Sequence, residues 1–270
     1  MVQATTRSSE RDPPARAVTG RGSRARWRVC RCRANWLLVV LLAGTASAQP
    51  HAGQHEFAFA RLQHHSAVPG DWPRWRADWP EAERHFLHGL DRLTAVDTAR
   101  DGVVLQLDDA ALFDHPWLYA VEPGAWLPDV RQAQRLREYL LRGGFLMVDD
   151  FHGADEWAGF LQAMSRVFPD RAVEELGADA EAFAVLYDLR QREQIPGIRA
   201  LLGGRTWEKG GRVPRWRGVF DDSGRVMVAI NFNQDLGDAW EHADDRRYPE
   251  RLTAAAYRLG VNYVIYAMTH

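Results

Sequence analysis

The chain has 270 residues, with 34 lysines and arginines against 36 acids, a formal charge of −2. The charge is unevenly spread: residues 1–48 hold nine arginines and two acids, so the rest carries 25 basic and 34 acidic side chains and a charge near −9. Such an acidic body disfavours nonspecific nucleic-acid binding, and its length suits one sizeable core, a single domain over residues 49–270.

Residues 1–48 read as a disordered leader followed by a signal peptide. A basic stretch precedes the apolar run Trp36-Leu37-Leu38-Val39-Val40-Leu41-Leu42-Ala43, and Ala46-Ser47-Ala48 offers a small-x-small cleavage site before Gln49. The run falls well short of the roughly 20 residues of a permanent bilayer span. Cleavage near Ala48 leaves no membrane anchor and a periplasmic or secreted protein; an uncleaved anchor is the alternative. Both cysteines, Cys30 and Cys32, lie in the removed part. The mature chain then has neither disulfide nor thiol nucleophile, which suits an oxidising periplasm.

In chain order, residues 56–62 alternate with a period of two and read as a strand. Pro80 suits the first turn of a helix with Ala82, Phe86, Leu90 and Leu93 inward. Residues 103–107 form the next strand, ending in Asp108-Asp109, and residues 118–121 another, ending in Glu122-Pro123-Gly124. Pro128 and Asp129 open a helix to about Arg142, with Ala133, Leu136 and Leu140 inward and Gly143 as its cap. Residues 145–148 are uninterruptedly apolar, as in a strand covered on both faces. Trp157, Phe160, Leu161, Met164 and Phe168 then recur at helical spacing until Pro169.

The second half is less regular. A strand is expected at residues 182–189, a Gly/Arg-rich loop at 203–218, and a strand at 225–230. Pro249 opens a closing helix with Leu252, Ala256, Leu259 and Tyr263 inward. Strands alternating with helices predict an α/β three-layer sandwich around a mainly parallel sheet.

In such a sheet ligands bind beyond the carboxyl ends of the strands. Asp149, Asp150 and His152 follow the most apolar strand, and Asp108, Asp109, Asp235 and Asp238 are the other candidates to converge on that rim. Clustered carboxylates with a histidine suit cation binding or acid/base work, whereas aspartates at strand ends also cap local backbone amides. Asn231-Phe232-Asn233-Gln234-Asp235-Leu236-Gly237-Asp238-Ala239-Trp240-Glu241 resembles the start of a calcium loop. Its glycine falls one position late and its glutamate one early, so a capped turn into a short helix is preferred and no metal or other cofactor is assigned. No nucleophile elbow is present: where a serine or cysteine belongs, the chain reads Val148-Asp149-Asp150-Phe151-His152. Asp71-Trp72-Pro73-Arg74-Trp75-Arg76-Ala77-Asp78-Trp79 packs indoles beside guanidiniums, either to brace a loop or to hold a sugar. Arg205, Trp207, Lys209, Arg212, Arg215, Trp216 and Arg217 make a basic patch, read as a solvated loop or a seat for an acidic partner.

Over about residues 56–270 the chain resembles the bacterial domain of unknown function 4159 family. The resemblance rests on Phe57-Ala58-Phe59-Ala60-Arg61-Leu62, the stretch from Leu140 to Asp150, Gln194-Ile195-Pro196, Asp235-Leu236-Gly237-Asp238-Ala239-Trp240-Glu241, and Leu259-Gly260-Val261-Asn262-Tyr263-Val264-Ile265-Tyr266-Ala267. It implies a flavodoxin-like sandwich similar to class I glutamine amidotransferases. True amidotransferases use a cysteine after the central strand, so glutaminase activity does not carry over to a mature chain without cysteine. The expectation is an exported, noncatalytic module binding a ligand, an envelope protein or a glycan. The alternative is a hydrolase of carbohydrate or cell-wall material that uses two of the aspartates.

Overall fold

The apolar run at residues 145–148 forms the middle of the sheet. The computed structural model describes residues 55–270, so the expected signal peptide lies outside the described residues. The seven strands are β1 (Ala60–Leu62), β2 (Val103–Leu105), β3 (Trp117–Val121), β4 (Phe145–Asp149), β5 (Glu174–Glu175), β6 (Arg215–Phe220) and β7 (Val226–Phe232). Their order across the sheet is β2-β1-β3-β4-β7-β6-β5. The first five in that order run parallel, and β6 and β5 add an antiparallel edge. The protein is thus an α/β sandwich with a mostly parallel sheet.

Alternating side chains feed two cores. Trp117, Tyr119, Phe145 and Met147 enter one, packed against α1 (Glu81–Leu93) and α6 (Glu250–Thr269). Leu118, Ala120, Leu146 and Val148 enter the other, under α2 (Val130–Leu141) and α3 (Gly153–Val167). Every residue of β3 and β4 is buried, which explains why both faces of these strands are apolar as far as Val148. α2 begins at Asp129, which exchanges side-chain and backbone hydrogen bonds with Gln132 in a capping box. It ends at Gly143, whose φ of +108° only glycine adopts cheaply.

Four expectations are corrected. Leu93 is 47% exposed and Leu161 37%, because each lies on the outer edge of its helix's apolar stripe. Residues 182–189 make no strand; Glu181–Phe183 is a 3₁₀ turn. Beyond it the backbone of Tyr187 is held at both its N–H and its C=O by the Asn262 side chain from α6, at 2.8 and 2.9 Å. The expected loop at 203–218 is cut short by β6, which begins at Arg215 and pairs with β7. No described helix is long and apolar enough to cross a membrane.

Candidate functional site

The order reverses between β1 and β3, and a reversal of this kind leaves a crevice beyond the carboxyl ends of the strands. A cavity of about 590 Å³ occupies this rim. Its walls come from the segment after β1 (Trp72, Arg76, Asp78, Trp79), the residues after β3 and β4 (Glu122, Asp150), the 198–209 segment, and α5 (Leu236–Glu241) with the residues around it (Asp235, Asp238, Glu241, His242).

Arg61 in β1 positions the first wall. It is fully buried, ion-pairs with the buried Glu83 of α1, and donates to the carbonyls of Trp75 and Ala77 at 3.0 and 2.9 Å. These bonds pin residues 75–77 over the rim and deliver Asp78 to the cavity. Arg74 extends the clamp by pairing with Glu122 at 2.9 Å. Arg76 lies over the rings of Trp75 and Trp79, at 5.8 and 5.2 Å from their centroids. Trp72 and Trp79 remain 47% and 37% exposed at the mouth.

Asp149 and Asp150 divide their labour. The Oδ2 of Asp149 accepts from the amides of Leu236 and Gly237, at 2.6 and 3.1 Å, and from the Tyr119 hydroxyl at 3.3 Å. Asp149 thereby fastens the start of α5 to the end of β4. It is fully buried, and desolvation outweighs these hydrogen bonds, raising its pKa to about 7. Asp150 turns into the cavity with φ +52°, and its Oδ1 stands 3.1 Å from His152 Nε2. Burial, then the charges of Glu122 and Asp78, push its pKa well up. Asp78 and Asp235 are raised in the same way, chiefly by burial and then by their acidic neighbours.

The candidates thus sort into three places. Asp150, Asp235 and Asp238 line one cavity. Asp149 and His152 are buried behind it; His152 is 2% exposed, does not line the cavity, and burial lowers its pKa to about 3. Asp108 and Asp109 are elsewhere, at the β2 edge. Asp108 sits 3.4 Å from the exposed Arg131, and Asp109 accepts from the Gln106 amide at 2.7 Å. The 231–241 segment is a capped turn into a short helix: Asp235 accepts from the Asp238 amide at 2.9 Å.

Sequence reasoning missed Asp78, Glu122 and Glu208 as lining residues. Asp78 was hidden among more conspicuous tryptophans and arginines, although the loop after β1 borders the reversal of strand order, where ligand-facing residues are expected. The loop carrying Glu208 is drawn in by Lys209, whose Nζ lies 2.7 Å from Glu156.

Fold and site together define an open α/β sandwich with carboxylates gathered at the carboxyl rim of its parallel strands. The chain belongs to the family described as Domain of unknown function (DUF4159), whose model matches residues 58–268. No curated protein compared with it matches.

Proposed function

We propose that this protein is an exported binding module that takes a small polar ligand into the strand-end cavity. The observation that carries the reading is the convergence of Asp78, Asp150, Asp235 and Asp238 from three separate segments on one solvent-reaching hollow beside Trp72 and Trp79. Acidic oxygens beside part-exposed indoles suit a polyhydroxylated ligand such as a cell-wall saccharide. Export is supported by the arginine-rich start, the short apolar run and Ala46-Ser47-Ala48. Kinship with the flavodoxin-like, amidotransferase-like scaffold is supported by the order of the parallel strands, which renumbers as 2-1-3-4-5.

Binding is preferred to hydrolysis because two of the candidate groups are withdrawn from the cavity and the others are crowded together. Asp149 holds two backbone amides, and His152 is buried behind Asp150 and does not line the cavity. One oxygen from each of Asp78, Asp235 and Asp238 lies within 4.8 Å of the other two, so these three carboxylates are clustered and not set apart as an acid and a base across a scissile bond.

The test is a thermal-shift screen of saccharides and cell-wall fragments, run both in EDTA and with divalent cations present. A ligand that raises the melting temperature of the unaltered protein, but of neither Asp150→Asn nor Trp79→Ala, supports the proposal. Absence of any such ligand, or protection indifferent to both substitutions, sinks it. Sequencing the amino terminus of protein recovered from the periplasm checks export, with Gln49 expected first.

A further inference from the structure

Asp78, Asp235 and Asp238 present carboxylate oxygens to one another across a few ångströms, and among the described residues none of the three pairs with an arginine or lysine. Asp238 has modest support: Oδ2 accepts from the Ile198 amide at 2.7 Å, and Oδ1 lies 3.6 Å from His242 Nε2.

Two observations separate this triad from an ordinary acidic patch. Asp235 is 5% exposed and lines the cavity; Oδ1 is occupied by the Asp238 amide, while Oδ2 has no hydrogen-bond partner among the described residues. Asp78 Oδ2 is also buried without a partner. The buried guanidinium of Arg61 makes no hydrogen bond to it: Nε and Nη1 are taken by Glu83 and by the carbonyls of Trp75 and Ala77, and Nη2 has no partner among the described residues. A buried carboxylate oxygen left unmatched, as at Asp78, is costly. The backbone also stays clear where they converge. A Cβ on Gly197 would stand 2.5 Å from Asp235 Oδ2 and 3.0 Å from Asp238 Oδ2, and one on Gly237 would stand 2.1 Å from Asp78 Oδ2.

We infer that Asp78, Asp235 and Asp238 together hold a hard divalent cation on the cavity floor, its open side left to water or to oxygens of the cavity's ligand. Magnesium, manganese and calcium bind oxygen at about 2.0 to 2.6 Å, so oxygens up to about 5 Å apart can share one ion. The spacing of the triad falls inside that reach. An all-oxygen set selects such ions over thiophilic ones. Glu241 and His242 form an adjoining triad with Asp238 at the outer edge. The inference rests on the cavity being a ligand site and names what occupies its floor.

The test uses the purified protein stripped with EDTA and dialysed, then titrated calorimetrically with MgCl2, MnCl2 and CaCl2 and followed by thermal melting. The unaltered protein is expected to bind at least one of these ions at one per chain and to melt several degrees higher at saturation. Asp78→Asn is expected to weaken that binding about tenfold or more. Because it removes a carboxylate with no partner, its metal-free melting temperature should equal or exceed that of the unaltered protein. Asp108→Asn, at the distant edge, should bind the ion unchanged. The inference is overturned if none of the three ions at millimolar concentration produces heat or a melting shift, or if Asp78→Asn binds as well as the unaltered protein. A metal-free Asp78→Asn that melts well below the unaltered protein also overturns it, by showing Asp78 to be a structural brace. Saccharide protection that persists in EDTA without any response to cations would leave the binding module standing and remove only the metal.

Discussion

Two Asp-Asp pairs end two strands of the same sheet, and they meet opposite fates. Asp108-Asp109 follows β2, the edge strand, and Asp149-Asp150 spans the end of β4, which has parallel neighbours on both sides. At the edge the pair serves its own turn: Asp109 caps the Gln106 amide and Asp108 stands 45% exposed beside Arg131. In the middle, the flanking strands bring other loops over the pair, so Asp149 is sealed under α5 and Asp150 faces a cavity shared with Asp78 and Asp235. The comparison teaches that a polar dipeptide at a strand end acquires a role from its place in the sheet. Burial depth sets the desolvation, and crossing loops supply the neighbours.

The comparison is broken or sharpened by substitution. The largest effect belongs to Asp149→Ala, which strips two buried amides of their acceptor; a loss of about 3 kcal/mol or more is expected from urea denaturation at neutral pH. Unaltered stability in that variant would mean that Asp149 is no more integral than its edge counterpart.

Next comes the pH profile of Asp149→Asn, measured in EDTA. The folded-state pKa of about 7 lies above the ordinary 3.8, so folding favours the protonated form. The stabilisation is complete below about 3.8 and is lost as the pH climbs through about 7. His64 and His152 run the other way. Burial lowers them to about 4 and about 3, so their contribution is whole above 6.5 and fades as the pH falls toward those values. Subtracting the variant's profile from that of the unaltered protein cancels the histidines. The difference should fall with rising pH between about 4 and 7, and a flat difference would contradict the burial argument.

The edge pair should matter less. Asp109→Ala is expected to cost about 1 kcal/mol, the worth of one part-exposed turn bond, and Asp108→Asn less than about 0.5 kcal/mol, as for an exposed ion pair. Denaturation midpoints check both. An edge substitution costing as much as Asp149→Ala would erase the distinction between rim and edge.

Much of the scaffold was legible because local rules and tertiary demand agree. The runs at 117–121 and 145–148 are apolar on both faces because both faces are covered. The α2 cap at Asp129 and the stop at Gly143 follow from backbone groups that helices leave unsatisfied. Residues 182–189 misled because β-prone side chains there obey a distant residue: Asn262, 75 positions from Tyr187, takes both its backbone groups. The site was legible in kind and only partly in membership. Asp150, Asp235 and Asp238 were visible as strand-end acids, whereas Asp78 depends on Arg61 bonding the carbonyls of Trp75 and Ala77.

By itself the sequence determined the alternation of strand and helix, the helix ends, the acidic body and the absence of any cysteine beyond Cys32. These depend on side-chain chemistry read within a turn or two of the chain. Only the tertiary structure decided which carboxylates share a cavity and which cap a turn, because desolvation and mutual repulsion arise between segments that become neighbours once the sheet has ordered its strands.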